Sequence, residues 1–296
     1  MAQPLFMRSV VRSRYGGPET LSVREVPRPE PKPDQVLIRV AATTVNRTDC
    51  GALWGAPYIF RFFVGWPKPR HVATGSDFAG TVEQVGSAVQ SFEVGDRVLG
   101  FDDECLGSHA QYLVLAAKGP LVKLPESVPL DQAAASIEGT HYALNFCTKV
   151  KLEPGVRVVV NGATGAIGSA AVQLLKHFGV RVTAVCATPH VERVAALGAE
   201  RVIDYTQQDF TQELEPGAFD LVFDAVGKSR FSLCQRLLKP QGAYVSSELG
   251  PKAENITLAL TTPWAGKQRV IFPFPTAIPR SLKLVSELLQ KGELNP

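Results

Sequence analysis

Apolar and polar positions in the second half of the chain alternate between two periods. Residues 156–160 carry four β-branched side chains, which predicts a strand buried on both faces of a parallel sheet. Residues 167–178 then place apolar side chains three and four positions apart, the spacing of an amphipathic helix. Further strands are predicted at 180–186, 201–204, 220–223, 243–246 and 269–272, and helices at 191–197, 231–238 and 278–290. Such alternation predicts a doubly wound parallel sheet.

The first half of the chain has shorter apolar runs separated by glycine. Strands are predicted at 21–26, 35–40, 80–85, 96–99 and 110–114. Short strands at this close spacing predict a compact, mostly antiparallel barrel-like domain. We therefore predict two domains, residues 1–128 and residues 129–296. Residues 51–74 are rich in Gly, Pro and aromatic side chains, and they form either a loop over a pocket or part of the core.

Composition excludes several functional classes. The 296 residues carry a formal charge of +3 and no basic tract, which argues against nucleic acid as a partner. No apolar run reaches the roughly 18 residues of a membrane span, and the N-terminus lacks the pattern of a signal peptide. The five cysteines lie far apart, with no C-x-x-C pair. These features predict a cytoplasmic protein with reduced thiols.

The glycine-rich turn between the first predicted strand of the second half and its helix indicates a dinucleotide site. Glycine lets the backbone approach a pyrophosphate, and the start of the helix offers N–H groups to the anion. The strict G-x-G-x-x-G pattern is not met, because Ala163 stands where the first glycine would be. The candidate cofactor-binding residues at this turn are Gly162, Thr164, Gly165, Ala166, Ile167 and Gly168.

Several spaced motifs resemble the medium-chain dehydrogenase/reductase superfamily, and within it the zinc-free quinone oxidoreductase (zeta-crystallin-like) branch. Besides the glycine turn, the matching segments are residues 45–49 (Val-Asn-Arg-Thr-Asp), 75–80 (Gly-Ser-Asp-Phe-Ala-Gly), 94–98 (Val-Gly-Asp-Arg-Val), 197–205 and 223–227. The resemblance implies an α/β protein with a GroES-like, mostly antiparallel β-barrel domain and a Rossmann domain. It also implies a homodimer, in which the GroES-like domain carries the substrate site.

The resemblance implies hydride transfer from a nicotinamide to a quinone or an α,β-unsaturated carbonyl compound. Without zinc, the oxygen that becomes negative needs hydrogen-bond donors. We predict Asn46, Tyr58 and His141 as the catalytic candidates. Asn46 could instead brace its turn, and His141 could be structural or could yield its place to Thr140. The alternative function is that of a catalytically weak NADPH-binding protein with a structural or partner role.

The end of the second predicted parallel strand bears on the choice between NAD and NADP. An NAD site usually places an Asp or Glu there to hold the ribose 2′-hydroxyl, and residues 186–190 contain no acid. This absence predicts NADPH, with Ala187, Thr188 and Arg193 at the ribose, although Arg193 could also be a solvated charge. The remaining cofactor candidates follow later strands, and they are Asp224, Ala225, Val226, Ser246, Ser247 and Phe272. Asp224 could instead cap a helix.

We predict that the chain holds no metal. Zinc-dependent relatives carry a cysteine ligand near Asn46 and a Gly-His-Glu motif, where this chain has Gly75-Ser76-Asp77. An alternative site from Cys50, His71 and Cys105 has no supporting ligand spacing. Relatives also continue beyond the last residue here with a helix and a strand that return to the first domain. We expect that return to be missing, which would expose apolar surface.

Overall fold

The structure is a computed structural model that describes residues 5–56, 58, 61–103, 106–246, 248–264, 267–273 and 276–296. Its internal contacts divide the chain into two compact units. The first unit comprises Met1–Glu138 and Ala277–Gly292, and the second comprises Gly139–Thr276 and Glu293–Pro296.

The first unit is built on antiparallel strands. β1 (Phe6–Arg12) and β2 (Leu21–Pro27) form a hairpin. A second sheet has the order β6-β3-β4-β5-β7, in which all neighbouring strands are antiparallel. Its strands are β3 (Gln35–Ala42), β4 (Asp77–Val85), β5 (Arg97–Phe101), β6 (Tyr112–Ala116) and β7 (Leu121–Lys123). Alternate side chains such as Val36 and Ile38 face a common core with Phe78 and Val98, as the strand period requires.

Helices α1 (Arg47–Trp54) and α2 (Arg61–Val64) follow β3 in the first unit. The next helix, α3 (Leu130–Cys147), crosses the boundary between the units, which falls after Glu138.

The second unit is a parallel sheet of order β10-β9-β8-β11-β12-β13. Its strands are β8 (Arg157–Asn161), β9 (Arg181–Cys186), β10 (Arg201–Asp204), β11 (Phe219–Asp224), β12 (Leu238–Ser246) and β13 (Arg269–Ile271). The helices of this unit after α3 are α4 (Ala166–His177), α5 (Val191–Ala196), α6 (Phe210–Glu213), α7 (Phe231–Cys234) and α8 (Glu254–Thr261). The strand order reverses between β8 and β11, and ligands of such sheets bind outside the carboxyl ends at that point.

The last helix, α9 (Ile278–Gln290), belongs to the first unit. It packs on β5 and β7, and the Ser286 hydroxyl donates a hydrogen bond to the Lys123 carbonyl oxygen at 3.1 Å. Leu282, Val285 and Leu288 are buried along this helix, as its apolar spacing predicts.

The predicted fold class is confirmed, with an antiparallel first part and a doubly wound parallel sheet. We predicted a domain boundary after residue 128, whereas the internal contacts of the structure place the boundary after Glu138 and group α9 with the first unit. The reason is that α3 crosses the boundary and α9, which we had assigned to the second domain, returns to the first unit.

Candidate functional site

The glycine turn after β8 is closely packed at two of its three glycines. Gly162 has a φ of 83°, a left-handed conformation that favours glycine, and a Cβ there would lie 2.7 Å from the Val226 Cβ. A Cβ on Gly168 would collide with the carbonyl group of Gly162. These two glycines are therefore required by the turn itself.

Gly165 differs from the other two glycines. It is the N-cap of α4 with φ −76° and ψ 163°, and the nearest atom to a Cβ there is the Gly162 carbonyl oxygen at 3.7 Å. Thr164, Gly165 and Ala166 are exposed, and no side chain of the described residues caps the helix. The first N–H groups of a helix have no partner within it, so this surface fits the pyrophosphate of a dinucleotide.

The ends of β11 and β12 bring further predicted residues to the same edge of the sheet. Val226 covers Gly162, and the Ala225 N–H donates to the Asn161 carbonyl oxygen at 3.0 Å. Ser246 ends β12 in register with Asp224, and both are buried. The structure thus gathers these strand-end residues beside the turn, as parallel strands require.

Asp224 braces the loop that follows β11. Its carboxylate accepts hydrogen bonds from the Tyr244 hydroxyl at 2.8 Å, the Asn161 amide at 3.0 Å and the Gly227 and Ser229 N–H groups at 3.0 Å each. A fully buried carboxylate needs such partners, so Asp224 holds the loop rather than capping a helix.

The edge of the sheet at β9 contains a carboxylate that the sequence analysis missed. Asp204 ends β10 in register with Cys186, the last residue of β9. It accepts hydrogen bonds from the Thr188 hydroxyl at 2.5 Å and the Thr206 hydroxyl at 2.7 Å, and the first of these lowers the pKa of Asp204. A carboxylate therefore lies beside residues 186–190, which contain no acid, and only the pairing of the strands reveals it.

The remaining cofactor candidates lie near this edge of the sheet or outside the described residues. Ala187 is half-buried and precedes the exposed Thr188, and the exposed Arg193 donates to the Pro296 carbonyl oxygen at 3.3 Å. Ile167 is half-buried in the first turn of α4, and Phe272 follows β13. Ser247 lies outside the described residues.

In the first unit, Asn46 is the N-cap of α1 within a capping box. Its Oδ1 accepts from the Asp49 N–H at 2.9 Å, and the Asp49 carboxylate accepts from the Asn46 N–H at 3.1 Å. Its Nδ2 donates to the Ser76 hydroxyl at 2.9 Å and to Asp77 Oδ2 at 3.1 Å. Because these groups occupy the amide donors, the geometry favours the alternative in which Asn46 braces the turn.

Tyr58 lies beyond the other end of α1 and is 71% exposed. The Arg61 guanidinium stacks on its ring at 4.5 Å and on the Tyr15 ring at 4.6 Å. The eight residues of α1 separate Tyr58 from Asn46 by about 12 Å of helix, so the two predicted donors do not converge.

His141 is fully buried in α3 within the second unit. Burial lowers the pKa of His141 to about 4, so the imidazole is neutral near pH 7. The Asn145 amide donates to the His141 carbonyl oxygen at 2.9 Å and accepts the Thr276 N–H at 2.8 Å through its own oxygen. This setting favours the structural alternative for His141.

Glu138, one turn earlier in α3, is a second residue that the sequence analysis missed. Its side chain meets the first turn of α1, where Glu138 Oε1 accepts from the Thr48 hydroxyl at 3.0 Å. Glu138 is 5% exposed, and burial raises its pKa to about 7. The sequence does contain this acid, but in this segment we considered only Thr140 and His141 as candidate functional residues.

The donor set near Asn46 does not fit zinc. Its groups are an amide, the Ser76 hydroxyl and the Asp77 carboxylate, whereas zinc sites use thiolates and imidazoles with at most a few carboxylates. No cluster of three or more metal-ligating side chains is found among the described residues, which exclude Cys105. The absence of metal therefore stays a prediction.

The described part of the chain also contains no helix with the length and apolar character needed to span a membrane.

Two family models match most of the chain. The alcohol dehydrogenase GroES-like domain matches residues 32–126, and the zinc-binding dehydrogenase family matches residues 166–288. These ranges fall on the antiparallel sheet and on the parallel sheet from α4 onward.

Individual relatives extend the match. The chain is 31% identical to the chloroplastic NADPH-dependent alkenal/one oxidoreductase of Arabidopsis thaliana, over 99% of this chain and 72% of the relative. It is 34% identical to the quinone oxidoreductase of Pseudomonas aeruginosa, over 78% and 70% respectively. It is 35% identical to the trans-enoyl reductase pgmF of Aspergillus terreus, over 66% of this chain and only 56% of that relative's length.

The fold matches solved structures as well. The quinone oxidoreductase from Coxiella burnetii superposes with a TM-score of 0.82 at 24% identity, over 98% of this chain and 89% of that one. Sequence match and fold agree, and the chain belongs to the medium-chain dehydrogenase/reductase superfamily, in its quinone oxidoreductase branch.

Proposed function

We propose that this chain is a zinc-independent, NADPH-dependent reductase that transfers hydride to a quinone or an α,β-unsaturated carbonyl compound. The observation that carries the proposal is the open surface at Gly165, at the start of α4 and at the point where the strand order reverses. A dinucleotide binds such a surface through its pyrophosphate.

The names of the relatives support the class of acceptor. They describe a quinone oxidoreductase, an alkenal/one oxidoreductase and a trans-enoyl reductase, whose acceptors are all electron-poor. Because these relatives are enzymes, turnover is favoured over a purely binding role.

NADPH is proposed over NADH on two grounds. β9 ends without an acid of its own, and the Arabidopsis relative is named as NADPH-dependent. Against these grounds stands Asp204, whose carboxylate would repel a 2′-phosphate placed beside Thr188. Arg193 is exposed and can offset that charge, which makes it the residue on which the preference depends.

When bound, the nicotinamide supplies the hydride, and the chain must hold the acceptor beside it, exclude water and provide a proton. An open cavity of about 670 Å³ adjoins the first turn of α1 in the first unit. Its wall combines apolar side chains such as Val40 and Val45 with polar ones that include Asp49, His109 and Gln111, which suits an acceptor that has both an apolar body and polar groups. We keep Tyr58 as a proposed hydrogen-bond donor to the acceptor oxygen, a role separate from supplying the proton, although Tyr58 lies beyond the other end of α1 and not in the wall of this cavity.

The finer assignments follow the same resemblance. We propose a homodimer in the cytoplasm, with residues 1–128 as the catalytic domain and 129–296 as the cofactor domain. Light scattering on the purified protein would test the dimer, since a monomer would contradict it.

Matched glycine substitutions test the cofactor site. Gly165→Val should keep the fold, because φ and ψ there suit any L-residue, and it should abolish NADPH binding by filling the space of the pyrophosphate. Gly165→Ala should weaken NADPH roughly 10- to 100-fold, the equivalent of the about 1–3 kcal/mol that overpacking costs. Gly168→Ala should instead lower the melting temperature, because its Cβ meets the Gly162 backbone.

The measurements are fluorescence titration with NADPH, thermal melting, and NADPH oxidation with a panel of quinones and enones. Unchanged NADPH affinity in Gly165→Val would contradict the site. An unaltered protein that binds NADPH but reduces no member of the panel would contradict the reaction.

A further inference from the structure

The two segments that the sequence analysis assigned to catalysis meet at one contact. Thr48 lies two residues after Asn46, and Glu138 lies three residues before His141. The Thr48 hydroxyl donates to Glu138 Oε1 at 3.0 Å, and the Thr48 N–H approaches the same oxygen at 3.4 Å. Glu138 is therefore held at the N-terminal end of α1, within the first unit.

The residue after Glu138 packs against the cofactor turn. A Cβ on Gly139 would lie only 3.1 Å from the Ala166 Cβ, and Ala166 is the first residue of α4. Gly139 thus lies in close contact with the first residue of α4, within the second unit.

Other charged groups near Glu138 are mainly acidic. The carboxylates of Asp77, from β4, and Asp49, from α1, both act to raise the pKa of Glu138, after burial and against the hydrogen bonds from Thr48. His109 faces Asp49, with its Nε2 3.7 Å from Asp49 Oδ2, and Arg47, the other charged residue of α1, is exposed. A 5% exposed carboxyl in this setting holds a proton near neutral pH.

We propose that Glu138 is the proton reservoir of the reduction and delivers its proton through the Thr48 hydroxyl to the acceptor. This inference rests on the proposed reductase function. Thr48 is only half-buried, so its hydroxyl can contact an acceptor while it remains bonded to the interior Glu138.

The step balances in atoms and charge. A bound nicotinamide would supply the hydride with its two electrons and be oxidised, which would leave the acceptor with one negative charge. For this transfer the Glu138 carboxyl O–H turns to donate to Thr48 Oγ1 across their 3.0 Å contact, and the Thr48 O–H turns from Glu138 to the acceptor. The acceptor then takes the Thr48 hydroxyl proton as Thr48 takes the proton of the Glu138 carboxyl. The Glu138 carboxylate recovers its proton from water before the next turnover.

Turnover variants test this role. Glu138→Gln keeps the shape and a hydrogen bond to Thr48 but has no proton to give, so kcat at about pH 6 should fall on the order of 10²-fold with KM and NADPH affinity unchanged. In the unaltered protein kcat should decline above about pH 7 as Glu138 loses its proton. The variant's profile should be flat, so the two rates converge at high pH.

Conservative variants separate this role from a structural one. Thr48→Val should reproduce the loss, and Thr48→Ser, which keeps the hydroxyl, should restore most of the rate. Asp131→Asn, an exposed acid of the same helix, is the matched control and should change neither rate nor profile. Full turnover in Glu138→Gln, or an unchanged pH profile, would overturn the proposal.

An infrared titration adds a measurement that needs no cofactor. The carbonyl band of a protonated carboxylic acid should disappear with a midpoint near pH 7 in the unaltered protein and be missing from Glu138→Gln. Absence of that band from the unaltered protein would overturn the proposal even if the variant does not fold. A chain that shows the band but reduces no acceptor would refute the reductase function itself, which is a distinguishable result.

Discussion

The substitution Glu138→Gln also predicts a change in stability that is independent of catalysis. The pKa of Glu138 rises from its ordinary value of 4.5 to about 7 in the folded protein, mainly through burial. Between these two pH values the folded chain keeps a proton that the unfolded chain has released. Stability therefore falls as pH rises through this window, because the folded state binds more protons there. The stabilising contribution of the proton is complete below pH 4.5 and lost once pH passes the folded pKa.

The size of this loss of stability follows from the difference between the unfolded and folded pKa values of Glu138. At about 1.4 kcal/mol for each pH unit, a displacement from 4.5 to about 7 corresponds to a loss of about 3 kcal/mol in the free energy of unfolding. Glutamine does not titrate, so the variant escapes this loss. Glu138→Gln should thus resemble the unaltered protein at about pH 4 and be more stable by up to about 3 kcal/mol at about pH 8.

Urea denaturation of both proteins across this pH range measures the difference directly. Asp131→Asn, which replaces an exposed acid of the same helix by its amide, serves as the matched control. Parallel stability curves for the unaltered protein and Glu138→Gln would refute the reasoning, since they would mean that the buried carboxyl titrates as in the unfolded chain.

The other predictions concern the cofactor, the capping box, the proposed donor Tyr58 and metal. Arg193→Ala should weaken NADPH binding by about 1.5–3 kcal/mol, the range of a hydrogen bond to a charged group, and leave NADH nearly unchanged; equal losses for both cofactors in titration would remove Arg193 from the site. Asn46→Ala should lower stability by about 0.5–2 kcal/mol through loss of the cap, whereas Tyr58→Phe should leave the melting temperature unchanged and reduce turnover on the order of 10²-fold; full turnover in Tyr58→Phe would exclude it as a donor. Elemental analysis of active protein should find no stoichiometric zinc, and zinc required for turnover would contradict the metal-free assignment.

The parallel sheet was predictable because its strands are buried on both faces and read as continuous apolar runs. β1 was not, because its buried positions include Arg12, which is 2% exposed. The Arg12 guanidinium donates to the carbonyl oxygens of His71 and Ala52, contacts that no local pattern reveals. The position of α9 was likewise hidden, since an amphipathic helix does not tell which sheet it covers.

The tight turn before α4 could be predicted because glycine spacing records local backbone geometry. The position of Asp204 beside Cys186 could not, because it depends on the register between β9 and β10 rather than on a position along one strand. The contact between Thr48 and Glu138 joins residues 90 positions apart. Neither side chain signals the other in the sequence, so the burial of the acid is seen only in the structure.

The three carboxyl groups near the start of α1 have different hydrogen-bond partners, and these partners give them different roles. Asp77 accepts the Thr44 N–H at 2.8 Å, the Thr44 hydroxyl at 2.5 Å and the Asn46 amide, so its carboxylate holds the loop before α1. Asp49 is enclosed by the capping box and His109, and although burial raises its pKa, its bond to the Asn46 N–H opposes that rise. Among the residues that the structure describes, Thr48 alone donates hydrogen bonds to Glu138, and the other two carboxylates act against its ionisation. Scarce hydrogen-bond donors and nearby negative charge both favour the protonated form of a buried carboxyl, so the residue with the fewest donors is the one that keeps a proton. That residue is Glu138, and the loss of either neighbouring charge, for example in Asp77→Asn, should therefore lower the midpoint of its infrared titration.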